Sequence, residues 1–288
     1  MHRALWNSLA VPLRFRGFKP QAVTPLSFFR WLFQFSDRRE RRLAISALKS
    51  VIYLSEKTVR ETLVDQNDQL LRRLSAEGVP AKNVIYVQVD DAGSSSPVML
   101  NLLRNHGGLE KRGCSLMDSR HVLCLRELTE QLAEGALVYV DDFVGTADQF
   151  TTNTRPLLGE HIIGNFAEFF LAPVICEEGV ANLGKLGVET VTRFVHTRAE
   201  RPLYGFSSVF AEPDRHTLME MTKRFANGCF YDGLGYKRAA TMYVLYSNSP
   251  DTVPRVFRGS TDQKPFRGIF PRFNDLPLRQ NAHATQPT

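Results

Sequence analysis

The chain has 288 residues, 43% of them apolar and 23% charged, which is the composition of an ordinary folded protein with room for one large α/β domain and an appendage, or for two small domains. Its 36 basic and 30 acidic residues give a net charge of +6, which suits an anionic small molecule and permits nucleic acid without indicating it. The cysteines lack zinc-site spacing, no apolar run approaches a membrane span, and no signal-peptide pattern is present, so we expect reduced thiols in a cytoplasmic protein without membrane contact.

A long helical segment precedes the first strand. Thr24 followed by proline is a good helix start, and the segment 26–35 is nearly apolar all round. This helix is therefore expected to be buried or to form an interface, which leaves a homo-oligomer open. Asp37 can cap a second helix, and a third is expected from Ser55 to Gly78.

The second of these helices begins with a basic run, Arg38 to Arg42, interrupted by Glu40. Positive charge at a helix start opposes the helix dipole. The run is therefore either a solvated face or a contact for an anionic partner such as nucleic acid.

Strands and helices alternate through the middle of the chain. Short apolar runs at 84–89 and 137–140 are bounded by turn residues, which is the pattern of buried parallel strands. Helices are predicted between them at 98–104 and within 116–132. Further strands are predicted at 169–175, 188–195 and 239–246, and further helices at 150–158, 177–186 and 212–226.

This alternation predicts an α/β fold with a doubly wound, mostly parallel sheet of about five strands. We expect three parts: an N-terminal helical extension at 1–80, an α/β core at 81–250, and a C-terminal arm and tail at 251–288.

The first predicted strand ends in a polar loop of small residues. Its glycine and serines suit phosphate oxygens, because backbone N–H groups and hydroxyls can surround an anion. Serine-rich loops are also common helix caps, so both interpretations stay open. The candidate phosphate loop comprises Asp91, Ala92, Gly93, Ser94, Ser95 and Ser96.

The strand at 137–140 ends in two adjacent carboxylates, Asp141 and Asp142, followed by a small-residue turn and a polar run able to start a helix. Ligands of open α/β sheets bind just beyond the carboxyl ends of such strands, so we expect both carboxylates at that edge. They can accept hydrogen bonds from sugar hydroxyls, directly or beside a magnesium ion, which prefers oxygen ligands. The amides from Gly145 to Gln149 can hold a phosphate, because a helix start presents unpaired donors and a favourable dipole.

The stretch 138–150 resembles the motif of type I phosphoribosyltransferases that binds 5-phosphoribosyl 1-diphosphate (PRPP): an apolar strand, two acidic residues, two apolar residues and a short small-residue loop. Phe143 is bulkier than usual for its position. Gly145 stands where purine-salvage members carry a general-base aspartate, and Gln149 where a loop threonine usually closes on the 5′-phosphate. The combination Asp-Asp-Phe-Val-Gly-Thr-Ala-x-Gln is closer to the phosphoribosyltransferase-like proteins encoded in bacterial conflict loci, retrons among them.

The resemblance implies a type I phosphoribosyltransferase-like fold and a site of three parts. Asp141 and Asp142 would bind the ribose, would contact Mg²⁺ indirectly through the ribose or water, and would be the catalytic residues of an enzyme. The loop from Asp91 to Ser96 would hold pyrophosphate. The residues binding PRPP or its phosphate would be Val144, Gly145, Thr146, Ala147, Asp148 and Gln149.

Two functions stay open on this resemblance. One is an effector that binds PRPP or a nucleotide with Mg²⁺ in a bacterial antiphage, retron-type defence system, with phosphoribosyltransferase activity left open. The other is a non-catalytic nucleotide- or PRPP-sensing module that docks on a reverse transcriptase–nucleic acid complex through Arg38 to Arg42.

The segment from His106 to Glu134 favours binding over catalysis, because it is short and helical for the flexible hood that covers the site of most catalytic members. A haloacid-dehalogenase-like phosphatase built on Asp90 and Asp91 is disfavoured, since that chemistry needs a second aspartate two residues after the nucleophile and Ala92 stands there after Asp90. His196, at the end of the fourth predicted strand, is expected to be structural.

Overall fold

The computed structural model describes residues 12–89, 95–132, 134–164, 166–203, 209–226, 230–259 and 266–272. Internal contacts divide the chain into two compact units, one of Met1–Tyr53 with Phe210–Thr288 and one of Leu54–Val209. The three-part division predicted from the sequence assigns 54–80 and 210–250 differently, and it stays a prediction. Within the described ranges, no helix is both long and apolar enough to cross a membrane.

The elements are numbered here in chain order. The strands are β1 (Ile52–Leu54), β2 (Val84–Gln88), β3 (Ser115–Asp118), β4 (Gly135–Val140), β5 (Phe143–Val144), β6 (Phe166–Leu171), β7 (Val174–Cys176), β8 (Glu189–Val191), β9 (Phe194–His196) and β10 (Tyr243–Leu245). The helices are α1 (Pro25–Leu32), α2 (Arg38–Lys49), α3 (Glu56–Ala76), α4 (Ser96–Leu102), α5 (Val122–Leu132), α6 (Arg155–Leu158), α7 (Glu160–Ile163), α8 (Glu177–Gly184), α9 (Glu212–Ala226) and α10 (Arg255–Arg258).

The unit of Leu54–Val209 is built on a five-stranded sheet with the order β3-β2-β4-β6-β8, in which every neighbouring pair is parallel. The predicted α/β class, with a mostly parallel sheet of five strands, is therefore confirmed. All of β4 and the first four residues of β2 are buried. Strands that are covered on both faces carry continuous apolar runs, and for this reason β2 and β4 could be predicted from the sequence.

Helices cover both faces of this sheet. Side chains alternate along each strand, so each strand contributes contacts to both layers. On one face, Ile85 and Leu137 join a buried cluster that includes residues of α5, α6 and α8. On the other face, the Tyr86 hydroxyl donates a hydrogen bond to the side chain of Asn67 in α3. The sheet is thus the middle layer of the unit.

A second, three-stranded parallel sheet, β5-β7-β9, continues three strands of the first. Each continuation follows a break of two residues, from β4 to β5, from β6 to β7 and from β8 to β9. Buried Gln66 of α3 donates from Nε2 to the carbonyls of Ala172 (3.3 Å) and Val191 (3.2 Å) at two of these breaks. The acidic pair forms the third break.

Three predicted strands differ from the structure, and one strand of the sheet was not predicted. The helix expected within 116–132 is α5, but the edge strand β3 at 115–118 was not predicted; it is only half-buried, so its apolar residues fit a helical pattern equally well. The run 239–246 contributes only Tyr243–Leu245, which pairs with β1 instead of joining the five-stranded sheet. The runs 169–175 and 188–195 each split in two, the first at Pro173, which has no N–H to donate to a neighbouring strand.

The unit of Met1–Tyr53 and Phe210–Thr288 contains the first two of the three predicted N-terminal helices, whereas the third, α3, belongs to the other unit. Thr24 accepts the Ser27 backbone N–H at 3.1 Å and donates its own to the Ser27 hydroxyl at 2.8 Å, so α1 begins with a capping box. Asp37 caps α2 by accepting the Arg39 N–H at 3.1 Å. Trp31, Phe28 and Phe35 are buried, as the apolar character of 26–35 predicted. Phe29 of the same segment is only partly buried, and Leu26 and Phe33 are exposed, so the predicted burial holds for one side of the segment.

Candidate functional site

Three neighbouring strands end at one level of the five-stranded sheet. Gln88, the last residue of β2, is the register partner of both Asp118 at the end of β3 and Val140 at the end of β4. The residues that follow these strands therefore share one edge. They include Arg120 after β3, Ser95 and Ser96 at the end of the loop after β2, and Asp141 and Asp142 after β4. This is the edge at which open α/β sheets bind their ligands.

The acidic pair stands at the end of β4, and its two carboxylates differ in exposure. Asp142 is only 4% exposed, whereas Asp141 is partly exposed. Asp141 Oδ1 accepts the Asp142 backbone N–H at 2.7 Å and the Ser95 hydroxyl at 2.9 Å. Both carboxylates directly follow β4, Asp141 partly exposed and Asp142 buried, and their roles in ligand binding stay predictions.

The serine loop after β2 reaches the acidic pair. Of its residues, Asp91, Ala92, Gly93 and Ser94 lie outside the described part of the chain. Buried Ser96 accepts the Val89 N–H at 3.0 Å and donates to the Val140 carbonyl at 2.6 Å, so it joins the ends of β2 and β4. Ser95, through Asp141, brings the two predicted ligand loops together.

The small-residue loop leads from β5 into a helix that starts at Asp148. Within it, the Thr146 hydroxyl donates to Asp148 Oδ2 at 2.7 Å. Ala147 has a φ of 60°, a left-handed conformation that is unfavourable for residues other than glycine. Such conformations persist only where the surroundings impose them, and they are concentrated at ligand sites. Val144 and Ala147 are buried, and Gln149 is exposed.

Helix α8 holds this loop in place. Asn182 Nδ2 donates to the Thr146 carbonyl at 3.0 Å. A Cβ atom on Gly179 would lie 2.7 Å from the Gly145 carbonyl oxygen and 3.1 Å from Val144 Cγ1, so only glycine allows this close approach. The position of the loop therefore depends on α8 as well as on its own sequence.

Replacing Gly179 by alanine is expected to destabilise the protein by about 1–3 kcal/mol and to weaken ligand binding, because the added methyl group displaces the loop. In an open helical position the same change would stabilise by about 1 kcal/mol. Gly184, in the same helix, is the matched control, since a Cβ there meets nothing within 4 Å. Urea unfolding of both variants decides the sign, and a stabilised Gly179→Ala protein would contradict this packing.

A buried ion pair joins the ends of β7 and β9. Arg201, wholly buried, donates to both carboxylate oxygens of Glu178 at 2.9 and 2.6 Å and to the His196 carbonyl at 2.9 Å. Arg198 also donates to Glu178, at 2.9 Å. Burial alone would raise the pKa of Glu178, but the hydrogen bonds from Arg201 and Arg198 outweigh it and lower the pKa to about 2. No spacing pattern in the sequence indicated this pair.

The other titratable groups at these strand ends are poorly suited to catalysis at neutral pH. Burial, and then the charge of Arg201, lower the pKa of His196 to about 4, so the ring is neutral. Burial raises the pKa of Cys176 to about 12, so its thiol is protonated and a weak nucleophile. His196 is fully buried, and its expected structural role stays a prediction.

The segment between the two ligand loops contains no antiparallel hairpin within 95–132. It consists of α4, a π-helical turn at Leu103–Gly107, a 3₁₀ turn at Glu110–Arg112, β3 and α5. These residues therefore contain no antiparallel hairpin of the kind that carries the flexible hood of most catalytic type I enzymes, and the weaker case for catalysis than for binding stays a prediction.

The described residues contain no group of three or more His, Cys, Asp or Glu side chains placed to hold a metal ion. Magnesium, however, usually binds through one or two carboxylates together with ligand phosphates and water. Asp141, which is partly exposed and accepts a hydrogen bond from the Ser95 hydroxyl, fits that mode, in which the ligand completes the metal site.

The parallel sheet, with an acidic pair and a small-residue loop at the end of its central strand, defines a phosphoribosyltransferase-like α/β protein. The family model PRTase-CE matches residues 28–272, and the chain belongs to this family. No curated protein and no solved structure gives a significant match.

Proposed function

We propose that this protein binds PRPP or a nucleoside monophosphate together with Mg²⁺ at the ends of β2, β4 and β5. The observation that carries the proposal is the position of Asp141. It follows the central strand β4, is partly exposed, and lies between the serine loop and the loop 144–149. Carboxylate, hydroxyl and helix-start amides at one sheet edge match the hydroxyls and phosphate of a phosphosugar.

Each part of the site has a separate task in this proposal. Asp141 and Asp142 accept hydrogen bonds from the ribose hydroxyls, and Asp141 is the more exposed of the two. The amides of 145–149 hold the 5′-phosphate, with α8 supporting the loop from behind. The serine loop, of which Ser95 and Ser96 are described, is assigned the pyrophosphate. When bound, Mg²⁺ would neutralise phosphate charge beside Asp141.

The family resemblance supports a cytoplasmic effector of bacterial antiphage defence, of the retron type, as the biological setting. If the protein is a phosphoribosyltransferase, loss of pyrophosphate builds positive charge on the ribose C1 atom, and the negative charge of Asp141 stabilises that state more than the bound substrate. The lack of a hood in 95–132 favours the second candidate, a sensor that binds the ligand without turnover.

The sensor candidate includes docking on a reverse transcriptase–nucleic acid complex through the basic run of α2. Two arginines of that run are engaged within their own unit: Arg39 pairs with Asp214 at 3.1 Å, and Arg41 donates to the Phe35 carbonyl at 2.7 Å. Arg38 and Arg42 are exposed and would carry the contact.

Ligand binding is the direct test of the proposal. PRPP with Mg²⁺, at about a hundred times its dissociation constant, is expected to stabilise the protein by about 2.7 kcal/mol, which calorimetry records as a raised melting temperature. Asp141→Asn should weaken binding about ten- to a hundredfold, because it removes charge-assisted hydrogen bonds. Asp65→Asn, which changes an exposed carboxylate of α3, is the matched control and should bind like the parent.

Failure of PRPP, ribose 5-phosphate and the common nucleotides to bind, with and without Mg²⁺, would refute the proposed function. Pyrophosphate release from PRPP, measured across a panel of bases and nucleotides, separates enzyme from sensor. An enzyme loses turnover in Asp141→Asn well beyond its loss of affinity, whereas a sensor releases no pyrophosphate even as the parent protein.

A further inference from the structure

The two compact units of the chain carry opposite net charges. The unit of Met1–Tyr53 with Phe210–Thr288, here called the basic unit, contains 21 basic and 9 acidic residues, a net charge of +12. The unit of Leu54–Val209 contains 15 basic and 21 acidic residues, a net charge of −6. The two values add to the +6 of the whole chain, which conceals this division. A strongly basic unit attracts a polyanion.

The first helix of the basic unit ends in an exposed aromatic ring. Phe28 and Trp31 anchor α1 in the core, whereas Phe33, directly after the helix, is 62% exposed. Its ring stacks on that of Phe29 with centroids 6.0 Å apart, and the guanidinium carbon of Arg41 lies 5.1 Å from its centroid. An exposed ring beside an arginine is a platform on which an unpaired base can stack.

Exposed arginines accompany this ring. Arg30 stands three positions before Phe33, about one helical turn away. Arg38 and Arg42 are one turn apart on α2, in the same run as Arg41. Among the described residues, no carboxylate pairs with Arg30, Arg38 or Arg42, and all three side chains are exposed. Their charges are therefore available to phosphate groups.

A distant segment of the basic unit adds a further arginine. Gln34, next to Phe33, donates from Nε2 to the Arg267 carbonyl at 2.9 Å and accepts the Arg267 N–H, also at 2.9 Å. Exposed Arg267 therefore lies close to the end of α1, although the two residues are 233 positions apart in the chain. We call this surface the Phe33 patch; it comprises Arg30, Phe33, Arg38, Arg41, Arg42 and Arg267.

We propose that the basic unit binds single-stranded nucleic acid directly at the Phe33 patch, with an unpaired base stacked on Phe33 and the phosphates held by the surrounding arginines. Bases within a duplex are stacked on each other and do not cover the ring, so this contact selects single strands. Arginine makes up 16 of the 21 basic residues of the unit, and its planar fork matches phosphate oxygens. The inference needs neither a ligand at Asp141 nor a partner protein, so it goes beyond both candidate functions.

An anionic membrane surface is the other polyanion that attracts a basic unit. A helix that binds there needs a broad apolar face. The exposed side of α1 presents Leu26 and Phe33 with Arg30 between them, whereas Trp31 and Leu32 are buried. This side therefore lacks the apolar area for a membrane and fits nucleic acid better.

Fluorescence anisotropy with the whole protein tests the inference. The probes are labelled oligothymidylate, labelled oligouridylate and a labelled DNA duplex, each of about 16 nucleotides per strand. Both single strands are expected to bind more tightly than the duplex, and comparison of the two shows whether DNA or RNA is preferred. The logarithm of the affinity should fall with the logarithm of the salt concentration with a slope of about −2 to −3, as expected for three or four phosphate contacts.

Variants separate stacking from charge. Phe33→Ala is expected to weaken single-strand binding about tenfold, whereas Phe33→Tyr keeps the ring and should bind within about twofold of the parent. Arg38→Gln/Arg42→Gln should weaken binding and reduce the steepness of the salt dependence by about 1.4. Arg126→Gln/Arg193→Gln is the matched control, because it removes two charges from side chains of the acidic unit that are 53% and 59% exposed. It should bind like the parent.

Each contrary result overturns the inference. The single strands fail to bind at an ionic strength of about 0.15 M, or the duplex binds as tightly as they do. Unchanged affinity in Phe33→Ala shows that no base stacks on the ring. An equal loss in the two double variants shows a response to net charge alone. Binding to anionic phospholipid vesicles that oligonucleotides do not displace identifies a membrane surface instead. Failure of PRPP to bind leaves the inference standing, because the Phe33 patch shares no residue with the proposed site.

Discussion

Replacing Arg201 by leucine is expected to lower the free energy of unfolding by about 3 kcal/mol. Breaking a buried ion pair by removing one partner costs about 3–5 kcal/mol, because the remaining charge stays desolvated. Arg201 is wholly buried, and its guanidinium joins the Glu178 carboxylate and the His196 carbonyl. The expected loss is at the low end of the range, since Glu178 is 19% exposed and keeps its hydrogen bond from Arg198. Urea unfolding measures the change.

Arg198→Leu is the matched control, because it removes an arginine that pairs with the same carboxylate but is 49% exposed. Exposed ion pairs contribute about 1 kcal/mol or less, so this variant should unfold close to the parent. The double variant Glu178→Leu/Arg201→Leu should recover part of the stability by removing the stranded charge. An Arg201→Leu protein as stable as the parent would show that this pair does not join β7 to β9.

Acid should remove the contribution of this pair in a defined range of pH. The pKa of Glu178 falls from 4.5 to about 2 on folding, so its stabilising contribution is complete above 4.5 and disappears as pH falls toward 2. The stability difference between the parent and Arg201→Leu should therefore shrink across that range. The same unfolding experiment, repeated at lower pH, measures it.

The central part of the fold was predictable because its signals are local. The strand β4, the acidic pair and the small-residue loop are contiguous, and the burial of β4 on both faces leaves an uninterrupted apolar run. The helix starts at Thr24 and Asp37 were equally readable, since a cap and its helix are neighbours in sequence. Elements of this kind need no knowledge of the rest of the chain.

The predicted number of strands in the sheet was right, but the run 239–246 does not join the sheet and the strand β3 takes that place. β3 is a half-buried edge strand of four residues, so nothing in its composition distinguishes it from the helix that follows. Tyr243–Leu245 has the composition of a strand and is extended, but its partner is β1. Pairing between strands is a tertiary property, and the sequence pattern of one strand does not determine it.

The parts of the site that depend on distant residues were not predictable. Gln66 of α3 reaches carbonyls more than a hundred positions away, at Ala172 and Val191. The Glu178–Arg201 pair spans 23 positions without any repeating pattern. Gly179 is needed only because the backbone of Gly145 passes close to it. Residues of this kind are identified by the folded geometry and not by spacing.

Replacing Trp31 by alanine is expected to lower the free energy of unfolding by about 3–5 kcal/mol, the range for large aromatic residues in a core. The indole is 1% exposed and packs against Phe28, Phe35 and Phe257, with ring centroids 6.1, 5.4 and 6.1 Å away. Its Nε1–H donates to the Val256 carbonyl at 2.7 Å. The alanine variant therefore leaves a cavity and a buried carbonyl without its donor, and the two losses add.

Phe33→Ala is the control for this prediction, because Phe33 directly follows α1 and is 62% exposed. It stacks on Phe29 and lies beneath the guanidinium of Arg41, contacts that contribute about 1 kcal/mol at an exposed position. Calorimetric melting of both variants should place Trp31→Ala well below Phe33→Ala. If the two variants melt together, α1 is a peripheral helix and does not form the core of its unit.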